Sequence, residues 1–142
     1  MAATIAYADV EVGTELPEQS YPVQRVNLVM YAGASGDFNP IHWNERWATE
    51  VGLPNVIAHG MYTMAQGART VTDWAGDPGA VVEYGVRFTR PVVVPDDGRG
   101  ATLVVGGTVV EKRDNNQVVV ELTARSGEDK VLSRALAVVQ LA

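Results

Sequence analysis

The second half of the chain alternates apolar and polar residues in a way that predicts β-strands. Segment 82–88 alternates with a period of two, which is typical of a strand with one buried face. Segments 103–110 and 118–124 are rich in valine, and the turn-tolerant residues 114–116 between them predict a hairpin. A further valine-rich segment follows at 131–141. Because short connections join antiparallel neighbours, these four segments predict a four-stranded meander.

Apolar residues at helical spacing predict short elements in the first half. A helix is expected over 26–32, and Gly33 and Gly36 are expected to bring it to an end. A second short helix is expected over 45–51. A further strand is predicted over 20–24, ahead of both helices.

The longest helical pattern begins at Gly60 and runs through 61–75. One face of this helix is predicted to hold its apolar and small residues, which are Met61, Met64, Ala65, Ala68 and Thr72. At ~1.5 Å per residue the helix spans roughly 20 Å, enough to cross a sheet of four or five strands. Apart from Arg69 and Asp73 its surface is small or apolar, as expected for a helix wrapped by a curved antiparallel sheet. The chain is therefore predicted to be an α+β protein.

Length and composition exclude several classes of protein for this chain. The 142 residues fit one domain over 1–142, and a net charge of −6 argues against binding along a nucleic-acid backbone. The absence of cysteine excludes disulfides, thiolate zinc sites and a cysteine nucleophile. The start of the chain does not resemble a signal peptide, and no apolar run approaches the ~18 residues of a membrane span, so we expect a cytoplasmic protein.

Side chains capable of acid-base chemistry concentrate in segment 31–42, where two glycines and a proline interrupt regular structure. Pro40 biases Asn39 away from helical dihedrals, so Asp37 and His42 lie on a turn that could aim both at one point. Such a pair can donate and accept a proton near neutral pH. Spacing alone leaves a second interpretation open, in which the aspartate forms a turn and the histidine is structural.

The start of the long helix is a second candidate. The N–H groups of a helix N-terminus lack intrahelical partners, so that of Gly60 could stabilise negative charge on a substrate oxygen. His59 precedes it and is expected to hydrogen-bond locally, outside the catalytic set.

The pattern Tyr-x-x-x-Ser-Gly-Asp-x-Asn-Pro-x-His at 31–42, followed by Ala-His-Gly-Met at 58–61, resembles the hydratase-2 motif of MaoC-like (R)-specific enoyl hydratases and (3R)-hydroxyacyl dehydratases. The similarity continues through 74–80, 83–88 and the valine-rich strands. Within the family, the chain is most similar to the catalytic B subunit of the actinobacterial (3R)-hydroxyacyl-ACP dehydratase. The resemblance implies a hotdog fold, in which about five bent antiparallel strands wrap a central helix.

The resemblance also implies an activity and a role for each matched residue. The reaction is reversible dehydration of (3R)-3-hydroxyacyl thioesters to trans-2-enoyl thioesters in fatty acid metabolism, without a metal or cofactor. Asp37 and His42 match the catalytic acid-base pair, and Gly60 matches the backbone donor of the oxyanion hole. Asn39, together with Ser35 and Tyr31, is assigned to support of the loop or substrate.

The implied partners are an anionic acyl carrier, coenzyme A or acyl carrier protein, and a second hotdog subunit. Residues 1–83 carry 3 basic and 10 acidic residues, whereas residues 84–142 carry 8 and 7, so the second half is the expected landing surface for the carrier. Its candidate basic residues are Arg87, Arg90, Arg99, Lys112, Arg113, Lys130 and Arg134. A single sheet around one helix leaves strand edges uncovered, so we expect a dimer. Both a homodimer and a heterodimer with a related non-catalytic subunit agree with this expectation.

Two alternative functions remain open at this point. A hotdog thioesterase usually places its carboxylate on the central helix, where Asp73 is the candidate here. A non-catalytic subunit that binds acyl thioesters is the other, and the presence of Asp37 and His42 weighs against it.

Overall fold

Five long antiparallel strands and three helices make up the fold in a computed structural model that describes residues 3–142. The helices are α1 Arg25–Ser35, α2 Glu45–Glu50 and α3 Gly60–Ala75. The strands are β1 Glu15–Val23, β2 Val81–Phe88, β3 Ala101–Arg113, β4 Gln117–Ser126, β5 Asp129–Lys130 and β6 Leu132–Gln140. Single 3-10 turns lie at Tyr7–Asp9, Pro40–His42 and Pro78–Ala80.

The sheet has the order β1-β3-β4-β6-β2, and the two-residue β5 pairs with β4. The predicted hairpin of β3 and β4 is confirmed, and its turn places Asn115 and Asn116 at positive φ, which asparagine tolerates. The predicted four-stranded meander is wrong, because β2 pairs with β6 and not with β3. The connection from β2 to β3 is long, so the argument from short connections does not hold there. The strand expected at 20–24 begins earlier, at Glu15.

The connection between β2 and β3 forms a wall beside the start of α3. The N–H of Ala58 donates to the carbonyl of Val92 at 2.9 Å, and the N–H of Val94 donates to Val56 at 2.8 Å. Segment 91–95 therefore follows an irregular path across the molecule, in line with its two prolines.

Helix α3 lies against the sheet and contacts all five long strands. This arrangement confirms the α+β class and the hotdog architecture of a sheet around one central helix. The predicted apolar face is wrong, because Met61 is 57% exposed and Ala65 is also exposed. The buried face is instead Thr63, Gly67, Thr70, Val71 and Ala75. Small residues are required there because the sheet comes close: a Cβ at Gly67 would lie 2.9 Å from the Tyr84 hydroxyl.

Helices α1 and α2 lie on either side of the loop that contains the acid-base candidates. Of the two glycines that were expected to end α1, Gly36 does so at φ 77°, whereas the helix continues through Gly33 to Ser35. Arg25 anchors this region: its Nε donates to the Val94 carbonyl at 2.6 Å, and its Nη2 pairs with Glu45 at 3.2 Å. The two helices and the wall at 91–95 are thereby held together around the loop.

Within residues 3–142, no helix combines the length and the apolar character that a membrane crossing needs.

Candidate active site

The loop between α1 and α2 is ordered by its own polar side chains. The N–H of Asp37 donates to Ser35 Oγ at 3.1 Å, and the N–H of Asn39 donates to Asp37 Oδ1 at 3.2 Å. The N–H of Ile41 then donates to Asn39 Oδ1 at 3.2 Å, which caps the turn that carries His42. Ser, Asp and Asn at alternate positions suit such a chain of turns, since each side chain accepts from the backbone two residues later.

Asp37 and His42 are brought together, as the sequence predicts. His42 Nε2 lies 3.8 Å from Asp37 Oδ2; the imidazole is buried, whereas half of the Asp37 side chain is exposed. The Nδ1 of His42 lies 2.7 Å from the carbonyl oxygen of Ile57. A carbonyl only accepts, so the hydrogen of neutral His42 resides on Nδ1 and Nε2 carries the lone pair. The free base nitrogen therefore faces the carboxylate.

The protonation of His42 is set by its burial. Burial lowers the pKa of the His42 imidazole below its usual 6.5. The nearby His59 ring lowers the pKa further, while the Ile57 carbonyl and the Asp37 carboxylate oppose the shift. His42 is consequently held in its neutral, proton-accepting form at neutral pH.

A cavity of about 340 Å³ opens beside this pair. Its lining includes His42, Gly60, Phe88 and Arg90. Gly60 is the first residue of α3, where an N–H has no intrahelical acceptor and the helix dipole is positive. The cavity thus combines a base with a backbone donor that suits a developing oxyanion, and the Asp37 carboxylate lies 3.8 Å from that base.

His59 belongs to this site, although the sequence reasoning placed it outside. The expected local hydrogen bond is wrong: the partner of its Nε2 is the backbone carbonyl of Asp37, at 3.1 Å and 22 residues away. Its ring stacks on that of His42 with centroids 3.8 Å apart, and Tyr31 meets it edge-on at 4.7 Å. The available sequence signal was a histidine between an alanine and the glycine that begins the central helix.

Asp37, His42 and His59 also form a group whose potential ligand atoms lie within 4.8 Å of one another. Each histidine, however, donates one ring N–H to a backbone carbonyl, and the remaining nitrogen of His59, Nδ1, is buried. The atoms of this group that remain free to bind a metal ion are then Nε2 of His42 and the oxygens of the Asp37 carboxylate. The expectation of a metal-free site stays a prediction.

Comparisons with known proteins agree with this fold. The family model described as MaoC like domain matches residues 9–126. The 3-hydroxyacyl-thioester dehydratase X of Mycobacterium tuberculosis is 48% identical over 65 residues, covering 46% of this chain and 22% of that protein. The (R)-specific enoyl-CoA hydratase of Rhodospirillum rubrum is 33% identical over 92 residues, covering 64% of this chain and 63% of the relative.

Solved structures with the same fold include a chain described as a dehydratase and chains from two complexes. A structure described as a MaoC-like dehydratase superposes with a TM-score of 0.96 and 41% identity, covering 99% of this chain and 43% of that one. Chains of the ChsH1-ChsH2 and HadBC complexes of Mycobacterium tuberculosis match at TM-scores of 0.81 and 0.70, with 22% and 18% identity, a likeness of fold alone. The match thus covers 22% of dehydratase X and 43% of the MaoC-like dehydratase chain, less than half of each.

Proposed function

Because the chain belongs to the MaoC-like domain family, we propose that it is a hydro-lyase that reversibly dehydrates (3R)-3-hydroxyacyl thioesters to trans-2-enoyl thioesters. The observation that carries the proposal is the unprotonated Nε2 of a buried histidine, 3.8 Å from a half-exposed carboxylate, beside a cavity that ends at a helix N-terminus. The names of two relatives, an enoyl-CoA hydratase and a hydroxyacyl-thioester dehydratase, support the same reaction class.

In dehydration, His42 Nε2 takes the proton from the α-carbon while Asp37, in its acid form, gives a proton to the leaving hydroxyl. The α C–H and β C–O bonds break, a carbon-carbon double bond forms, and water departs. The N–H of Gly60 stabilises the negative charge that develops on the thioester oxygen. In hydration the same pair activates water and returns the proton to the α-carbon. The contribution of the protein is orientation and electrostatics.

One assay tests the reaction and separates it from the alternatives. The purified chain is incubated with crotonyl-CoA and longer trans-2-enoyl thioesters, while enoyl absorbance and free thiol are followed separately. Loss of absorbance without thiol release is the expected result. Thiol release would instead indicate a thioesterase, and neither signal in the presence of a related partner subunit would indicate a binding role.

The thioesterase alternative has weaker support from geometry. Asp73 is exposed and follows Gly60 by 13 residues along α3, which places the two about 20 Å apart. A nucleophile or base at that distance does not reach a carbonyl bound at the helix start.

In the dehydration direction, where His42 accepts the α-proton, the acid side of the pH dependence is expected to follow the neutral form of His42. Since burial lowers the pKa of this imidazole below 6.5, the acid limb of kcat/KM for a (3R)-3-hydroxyacyl thioester is expected to be centred below pH 6.5. A series of kcat/KM measurements from about pH 5 to 8 checks this, because that ratio reports the free enzyme. An acid limb centred above 6.5 would contradict the assignment of His42 as the base, provided that circular dichroism shows the fold unchanged across the series.

We further propose Arg90 as a contact for the phosphates of the acyl carrier. It is exposed, and among the described residues that line the cavity it alone carries a permanent positive charge. Arg90→Gln is expected to raise KM for an enoyl-CoA about tenfold with little change in kcat. KM for the N-acetylcysteamine thioester, which has no phosphate, should not change. Arg46→Gln, which changes an exposed arginine of α2 outside the cavity lining, is the matched control, and equal losses for both thioesters would refute the assignment.

A paired assembly is also part of the proposal. Strand β2 pairs with β6 on one side and has no partner strand on the other side among residues 3–142. Most of its residues are exposed, and apolar side chains on or beside it are exposed at Val82, Phe88 and Leu136. ChsH1-ChsH2 and HadBC are complexes of related chains. A second subunit would cover this strand edge in either a homodimer or a heterodimer, and in the heterodimer this chain would be the catalytic B subunit. Light scattering of the chain expressed alone distinguishes the two.

A further inference from the structure

His59 is a buried histidine between the catalytic loop and the central helix. It is 1% exposed and precedes the first residue of α3, yet its side chain does not cap that helix. Its Nε2 instead reaches back to the carbonyl of Asp37, and its Nδ1 is buried without a hydrogen-bond partner among the described residues. A buried polar group usually has a hydrogen-bond partner. Because one nitrogen of His59 has none, the other contacts of the ring must explain why a histidine lies at this position.

The contacts of His59 determine one ring state. The Asp37 carbonyl accepts only, so Nε2 carries the hydrogen and Nδ1 carries the lone pair. In the neutral ring the single hydrogen therefore points at the backbone of the catalytic acid, and Nδ1 lies buried without a partner among the described residues, while the ring stacks on that of His42 at 3.8 Å.

The two histidines thus hold the two halves of the acid-base pair in complementary ways. The Nδ1–H of His42 is directed to the Ile57 carbonyl, which leaves its Nε2 free toward Asp37. The Nε2–H of His59 holds the Asp37 carbonyl, and its ring face supports the His42 ring. The Asp37 side chain is half exposed and lies on a loop, so the backbone bond supplies an anchor from the rigid start of α3.

We propose that His59 is a positioning residue, which sets the distance and orientation between Asp37 and His42 through its hydrogen bond to the Asp37 carbonyl and its stacking on the His42 ring. This inference rests on the proposed function but concerns a residue outside the acid-base pair. A loss of position of about 1 Å at such a pair is enough to lower a rate by up to a hundredfold.

Two substitutions separate the hydrogen bond from the packing. His59→Phe keeps a flat ring against His42 but has no donor, whereas His59→Gln places an amide N–H at a reach similar to that of Nε2. We expect kcat of the Phe variant to fall about tenfold to a hundredfold with KM changed less than about twofold. The Gln variant should recover most of that loss. Tyr62→Phe, which removes a hydroxyl from the same aromatic cluster and leaves its ring, is the control and should retain the kcat of the unmodified chain.

Two outcomes of these variants would overturn the proposal. One is a Phe variant with unchanged kcat. The other is a Gln variant as slow as the Phe variant with an equal fall in Tm, since this would reduce His59 to a packing residue.

A measurement on the unmodified chain needs no variant and no activity. The sequence has two histidines, so ¹⁵N-labelled histidine yields the ring signals of two residues. Nitrogen shifts should identify one neutral ring as the Nδ1–H tautomer, His42, and the other as the Nε2–H tautomer, His59. An Nδ1–H tautomer of His59, which has no hydrogen on Nε2, would overturn the proposal. Absence of hydratase activity with the expected tautomers would refute the proposed function instead, which keeps the two failures distinguishable.

Discussion

His42→Ala is expected to lower the turnover of enoyl thioester hydration by about 10² or more while the chain still folds. The substitution removes the ring nitrogen that accepts the α-proton in dehydration and returns it in hydration. Other groups of the cavity cannot replace it: Gly60 offers an N–H, and Arg90 remains protonated. The measurement is steady-state turnover with crotonyl-CoA, together with the Tm of the variant.

The effect of His42→Ala on stability can be separated from its effect on turnover. Alanine leaves the partly buried Ile57 carbonyl without its donor, which costs about 1 kcal/mol. His42→Asn places an amide N–H at a reach similar to that of Nδ1, so it can keep this bond but has no base. We expect the Asn variant to have a higher Tm than the Ala variant and an equally low turnover. Turnover close to that of the unmodified chain in either variant would exclude His42 as the base.

The positions of the strands and of α3 follow from the sequence because they depend on local patterns. Alternation and turn residues located β2, β3 and β4 to within a few residues, and the stretch from Gly60 to Ala75 is helical as predicted. Strand order depends on where a long connection leads, which periodicity does not encode. The buried face of α3 failed for a related reason: hydrophobicity ranks Met61 above Gly67, yet the close approach of Tyr84 requires the smaller residue.

The candidate site was predictable only in part. The turn residues between the two short helices predicted that Asp37 and His42 would converge, and they lie 3.8 Å apart. The Ile57 carbonyl and the His59 ring were not predictable, since both contacts join residues 15 to 22 positions apart through the packing of α3 against the loop. Motifs reveal the groups that react, whereas the groups that orient them depend on tertiary structure.

The two members of the pair differ in environment, which divides their roles. His42 is buried and loses water around its charged form, so neutrality is favoured and the ring suits proton acceptance. Asp37 is half exposed, so water can reach its carboxylate, which suits the residue that is proposed to act on the hydroxyl group and on water.

Asp37→Asn is the second substitution with a large expected effect, a fall in turnover of about 10² or more with little change in Tm. The amide retains an oxygen that can accept the Asn39 N–H, so the loop keeps its turn. It cannot donate an acidic proton to a leaving hydroxyl or take one from water. Because the Asp37 carboxylate opposes the lowering of the His42 pKa, its removal should also shift that pKa further down.

The matched control for Asp37→Asn is Asp73→Asn, since Asp73 is an exposed aspartate on the far end of α3. The control is expected to keep its turnover within about twofold, because a surface charge about 20 Å from the helix start is screened by solvent and salt. Enoyl hydration and thiol release are measured for both variants. If Asp73→Asn abolished thiol release while Asp37→Asn left both reactions intact, the carboxylate of the central helix would be the reactive one and the thioesterase alternative would replace the dehydratase. Loss of hydration confined to Asp37→Asn places the chemistry on the loop, where the carboxylate and the buried base face each other.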